Sequence, residues 1–185
     1  LTSLTGFDSL KYIGGALEIN HNHSITDCSG LASLTDVGTL SIIENDALQS
    51  LNGLDHLSEA GGICITGNDA LTSLTGLEGI TYIPGDLCIG SLSSPGNEKL
   101  EKLSGLMNLD SVGGRFDIYN NDTLQDLSGL DNLAVIGGDL RIGSNDKLID
   151  LGGLDKLTTV GADLVFADNF SLSSLNGINQ LNHVG

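Results

Sequence analysis

The sequence predicts an all-β chain: a parallel β-solenoid of about seven coils of 23–29 residues, with short helical or 3₁₀ turns. Three observations carry this. A unit of about 24 residues recurs end to end, as coils 1–24, 25–47, 48–70, 71–99, 100–123, 124–147 and 148–171, with a partial coil 172–185. Each coil holds one alternation of inward apolar residues, clearest as Leu140-x-Ile142. Each then holds one asparagine, Asn145 in the same copy. No linker interrupts the period, so residues 1–185 read as one repeat domain.

The coil Leu124–Lys147 shows the elements in order. Leu124, Leu127, Leu130, Leu133 and Ile136 are spaced three apart. That spacing suits a run of tight turns, and it is too short for a long helix. Gly137-Gly138 then turns the chain into a strand. The strand is marked by period two, one face inward. Its equivalents are Leu17-x-Ile19, Leu40-x-Ile42, Ile63-x-Ile65, Leu87-x-Ile89, Phe116-x-Ile118 and Leu164-x-Phe166. Equivalent strands at one period are expected to stack as a parallel sheet, about 4.8 Å apart. A coil alone cannot bury its apolar face, so neighbours must cover each other.

The recurrent asparagines are Asn22, Asn45, Asn68, Asn97, Asn121, Asn145 and Asn169. An amide both donates and accepts, so an inward ladder of them can satisfy backbone groups left unpaired at the bend. The ladder is read as structural, not as a ligand site. Three of its members lie in N-x-S/T sequons: Asn22, Asn121 and Asn169. An inward asparagine cannot carry a glycan, so these sequons are expected to be mostly unmodified.

The L-x-x-L-x-G-L-x-x-L and GG-x-L-x-I-x-x-N patterns resemble leucine-rich repeats, and more closely the receptor L-domain type. The resemblance covers the whole chain. It implies a right-handed solenoid and an extracellular setting, secreted or at the cell surface. The cysteine-rich modules that accompany receptor versions are missing, so a hormone-receptor role does not carry over.

The net charge is −17, from 24 acidic and 7 basic residues. That balance disfavours binding to nucleic-acid backbones and to anionic membrane surfaces. No apolar run is long enough to span a bilayer, so direct membrane insertion is not expected. The chain starts in register at Leu1 and stops at Gly185, where another strand is due, and neither end reads as a polar cap. A piece of a longer array is therefore expected.

Asp46, Asp69, Asp122 and Asp146 directly follow ladder asparagines, with Glu98 in the same place. Stacked carboxylates repel, and a hard cation relieves that. No cofactor is expected; calcium here is the alternative kept open, although no D-x-D-x-D loop supplies the usual ligands. His21 and His23 flank Asn22 without a third ligand nearby and read as a solvated corner.

Cys28 replaces a core leucine and is expected to be a buried thiol. Cys64 and Cys88 occupy equivalent outward positions of adjacent strands, within disulfide reach. A Cys64–Cys88 bridge and two adjacent free thiols remain open. Coil four is lengthened by Gly90–Gly96, a projecting loop whose Ser91, Leu92, Ser93 and Ser94 are binding candidates. Arg115, Arg141 and Tyr119 face outward on the next strands. They form a candidate polar patch with Tyr119 as aromatic anchor, or else cross-strand pairs Arg115–Asp139 and Arg141–Asp117.

No histidine–nucleophile pairing, G-x-S-x-G or phosphate loop occurs, so an enzyme is not expected. The sequence instead suggests a non-catalytic scaffold for protein or glycan recognition or adhesion, with other proteins or copies of itself as partners. The alternative is a structural subunit of a cell-surface filament, stalk or wall layer.

Overall fold

The computed structural model describes all residues 1–185. It is a parallel β-solenoid of about seven turns at a spacing near 24 residues. The main strands are Tyr12–Asn20, Asp36–Ile43, Ile63–Thr66, Leu87–Ile89, Phe116–Tyr119, Leu140–Gly143 and Leu164–Ala167. They pair in that order, all parallel. The register keeps Leu17, Leu40, Ile63, Leu87, Phe116, Leu140 and Leu164 in one row. Equivalent repeat positions thus become spatial neighbours.

The three-residue leucine spacing produces successive tight turns. In one coil Leu124 donates to Asn121 O at 3.0 Å, Leu130 to Leu127 O at 3.1 Å and Leu133 to Leu130 O at 2.9 Å. Between them Leu127 N reaches Gly152 O of the next coil at 2.7 Å. Every third side chain is turned inward, and the backbone is satisfied partly within the coil and partly between coils. Only Ser29–Leu31 and Ser104–Leu106 are regular enough to be 3₁₀ helices. The result is one core of 42 buried apolar residues. Fully burying a leucine contributes roughly 1.5–3 kcal/mol, and a column of them runs along each position.

A second, narrow sheet was not foreseen. Tyr82–Ile83, Ser111–Val112, Val135–Ile136, Thr159–Val160 and His183–Val184 pair in parallel just before the glycine corner. The chain bends at the glycine pair, as at Gly113-Gly114 and Gly137-Gly138, and enters the main strand there. None of Gly113, Gly114, Gly137 or Gly138 has positive φ. A Cβ at Gly137 would overlap the Gly113 carbonyl of the coil below, and one at Gly113 would overlap that of Pro84. The glycines make this bend without a left-handed residue, and they also permit close coil-to-coil approach.

Left-handed residues stand directly before six of the seven ladder asparagines; in the coil of Asn97 the left-handed residue is Gly90, at the start of the long loop. His21, Glu44, Gly67, Asn120, Ser144 and Asp168 have φ of 56°, 53°, 67°, 57°, 53° and 56°. Most of these are not glycine, and each such residue costs roughly 1–2 kcal/mol. The hydrogen bonds of the following asparagine hold the chain in this conformation.

Candidate functional site

The asparagines form a continuous ladder. Asn121 Nδ2 donates to Ile89 O and Tyr119 O, both at 3.0 Å, while Asn121 Oδ1 accepts from Asn97 N at 3.3 Å. The pattern of an amide reaching the preceding strand repeats at Asn45, Asn68, Asn97, Asn145 and Asn169. Asn45, Asn68, Asn97, Asn121 and Asn145 are fully buried. Asn22 and Asn169, in the end coils, are half-buried. Asn22 Oδ1 accepts from the Leu1 amino group at 3.0 Å.

One residue further on, the carboxylates stack, and of the five only Asp46 is in an ion pair. Burial, then Glu98 and Asp46, push Asp69 above its ordinary pKa. Burial, then Asp146 and Glu98, do the same to Asp122. Asp69 Oδ1 is buried with no hydrogen bond. No three His, Cys, Asp or Glu side chains converge as a metal-holding group. At the first corner His21 and His23 lie 3.1 Å and 3.0 Å from Glu44 and Asp46 respectively.

The outer face of the main sheet carries the remaining candidates. Ser41, Cys64, Cys88, Asp117 and Arg141 stand in one row across five strands. The 91–96 loop overhangs this row. Asn120 Nδ2 ties it down at Ser91 O (2.6 Å) and Ser94 O (3.4 Å), Gly67 N at Gly96 O (2.8 Å), and Thr66 Oγ1 at Pro95 O (2.5 Å). Under the loop lies a concavity of about 790 Å³, lined by Ser91, Leu92, Ser93, Arg115, Arg141 and Tyr119 among others. Leu92, at the tip, is 73% exposed. Ser94 is half-buried and faces the Asn120 amide through its carbonyl, outside the lining.

Two details differ from the sequence reading. Tyr119 is only 6% exposed, because Gly143 on the next strand has no side chain and the ring lies across it. It forms a wall of the concavity, not a projecting anchor. The arginines also choose other partners. Arg115 pairs with Asp117 at 3.0 Å and Asp86 at 3.6 Å, and Arg141 with Asp139 at 2.7 Å. Residues i and i+2 of a strand share a face, so a long guanidinium side chain meets its own strand's carboxylate first.

Asp117 is left half-satisfied. Its Oδ1 is buried and has no hydrogen bond. Burial raises its pKa, partly offset by Arg115 and Arg141. The site thus offers hydroxyls and guanidinium N–H donors, an arrangement suited to binding a polar ligand.

Cys64 and Cys88 are paired in register with their sulfurs 2.6 Å apart. Contact with Cys88 pulls the Cys64 pKa down, while the same contact and burial push Cys88 up. Cys28 is fully buried in the core, and burial pushes its pKa up to about 12.

No family model, curated protein or solved structure matches this chain. The fold therefore rests on its own geometry, and no relative's site is available to place on it. No helix is long and apolar enough to cross a membrane.

Proposed function

We propose that the chain is a leucine-rich-repeat, receptor L-domain-like scaffold that is extracellular and non-catalytic, recognising a protein or glycan. The observation that carries this reading is the concavity under the 91–96 loop, the one large interruption of a uniform sheet face. Asp117 lines it together with Arg115 and Arg141, whose guanidinium groups offer N–H donors to a ligand. Insertions in repeat proteins often sit on the binding face.

The test has two parts. A glycan array and a panel of extracellular protein domains are probed with the wild type, and each hit is repeated with Asp117→Asn and Leu92→Ser. Loss of a hit in both variants, at unchanged melting temperature, supports the reading. Electron microscopy of the native protein supplies the contrast. Discrete short rods accord with a recognition module. Ordered filaments or sheets make it the structural subunit of a filament, stalk or wall layer.

A further inference from the structure

A second groove lies round the corner from the first, on the side of the narrow sheet. Its rim is one row of residues taken from four coils. Tyr12 pairs in register with Asp36, and Asp36 with Glu59. The strand of Glu59 packs against that of Tyr82. Three strand spacings put the two tyrosines about 14 Å apart, with the two carboxylates between them. The groove they bracket has a volume of about 390 Å³, and its floor includes Gly38 and Gly61.

Four features make this more than a solvated corner. The chain has 3 tyrosines. Tyr119 is buried, and the other two, 67% and 50% exposed, both stand on this rim. The rings are also held down. A Cβ on Gly14 would lie 2.8 Å from Tyr12 Oη, and one on Gly113 would lie 3.1 Å from Tyr82 Oη, so each phenol rests over a bare glycine. Neither Asp36 nor Glu59 is in an ion pair, and no lysine, arginine or histidine lines the groove. The floor must stay bare as well. A Cβ on Gly38 would lie 2.6 Å from Gly15 O, and one on Gly61 would overlap the Gly38 carbonyl.

We propose that this groove binds an extended basic peptide segment. Two cationic side chains would stack on Tyr12 and Tyr82 and pair with Asp36 and Glu59, while the peptide backbone lies along the glycine floor. Cations are attracted to the faces of aromatic rings, and guanidinium–carboxylate bonds are among the stronger hydrogen bonds. An extended chain rises about 3.3 Å per residue, so cationic residues at i and i+4 reach both tyrosines from one face. Anionic ligands are excluded by the same charges. The site shares Gly61 with the first concavity but does not depend on it.

The experiment is fluorescence anisotropy with a fluorescein-labelled Arg-Gly-Gly-Gly-Arg peptide, with Glu-Gly-Gly-Gly-Glu as control. Saturable one-to-one binding of the basic peptide alone is expected. Tyr82→Ala and Glu59→Gln should each weaken it by about tenfold, while Tyr82→Phe, which keeps the ring face, should retain it. Gly14→Ala should weaken it too, because the added methyl meets only the Tyr12 ring. Binding that falls as much with the distant Asp163→Asn as with Glu59→Gln would be adsorption to an acidic surface and would overturn the proposal. So would no binding of the peptide, or binding of a neutral cello-oligosaccharide in its place. Unchanged melting temperatures of these surface variants separate lost contacts from lost fold.

Discussion

Two columns of side chains run along the same corner of the solenoid, one residue apart. The first is Asn45, Asn68, Asn97, Asn121 and Asn145, fully buried and hydrogen-bonded from coil to coil. The second is Asp46, Asp69, Glu98, Asp122 and Asp146, where burial and then the neighbouring carboxylates raise the pKa of Asp69 and Asp122. Both columns repeat a chemical group at each coil. An amide is donor and acceptor at once, so identical amides satisfy each other. A carboxylate only accepts, so identical carboxylates repel. Stacking like on like therefore holds the corner together in one column and strains it in the other. A third stack, Cys64 on Cys88, is two coils long, and its groups can react with each other.

The largest expected effect comes from breaking the first column. Asn121→Ala orphans Ile89 O, Tyr119 O and Asn97 N. A loss of about 3–5 kcal/mol is expected in urea denaturation followed by circular dichroism. The same change at the half-buried Asn22 should cost far less. Equal losses at the two sites would mean that the ladder does not carry the corner.

The thiol stack comes next. Under mild oxidation Cys64 and Cys88 should form an intramolecular bridge, visible by non-reducing peptide mapping. Closing a loop of one coil should add about 3 kcal/mol of stability in the chain-entropy picture. Before oxidation, maleimide should label Cys64 in the native state and leave Cys28 untouched until unfolding. Prompt labelling of Cys28 would contradict its place in the core.

The acidic column should respond in the opposite direction to the ladder. Asp122→Asn is expected to stabilise the protein at pH 7, by less than about 1 kcal/mol because the column is screened by solvent. The sign follows from the pKa, which is raised in the folded state. The protonated group fits the fold better, so its stabilising contribution is fully present below the ordinary carboxylate value near pH 4. That contribution is lost as pH rises through the raised folded value. The advantage of Asp122→Asn should accordingly vanish below about pH 4. EDTA and calcium are expected to leave the melting temperature unchanged; a calcium-dependent rise, lost in Asp69→Asn with Asp122→Asn, would install a cation at this corner. The smallest effect is a null one. Intact mass should show no glycan on Asn121, whose side chain is fully buried.

The regular coils 100–171 were almost fully legible in the sequence, down to the row Phe116, Leu140 and Leu164. Periodicity alone suffices when each position meets its own copy in the next coil. The candidate sites were less legible. The Tyr-Ile pairs at 12–13 and 82–83 stand at the same repeat position, and that recurrence was the available signal. It went unread because the two copies are separated by two coils that carry Asp36 and Glu59 instead. Arg115 and Arg141 were placed on the right face but given the wrong partners, since strand register fixes which residues are adjacent and not which rotamer a long side chain takes.

By itself the sequence determined the parallel stack, its period, its inward columns and the burial of its asparagines. Each of these is a one-dimensional property, decided by burying apolar surface and pairing polar backbone at a constant interval. Tertiary structure alone decided the left-handed residue before six of the seven ladder asparagines, the glycines pressed against the carbonyls of the coil below, and the ring of Tyr119 laid on Gly143. It also decided the two grooves. Those features depend on the shape left between particular side chains from different coils, and a repeating pattern does not encode the exceptions to its own repeat.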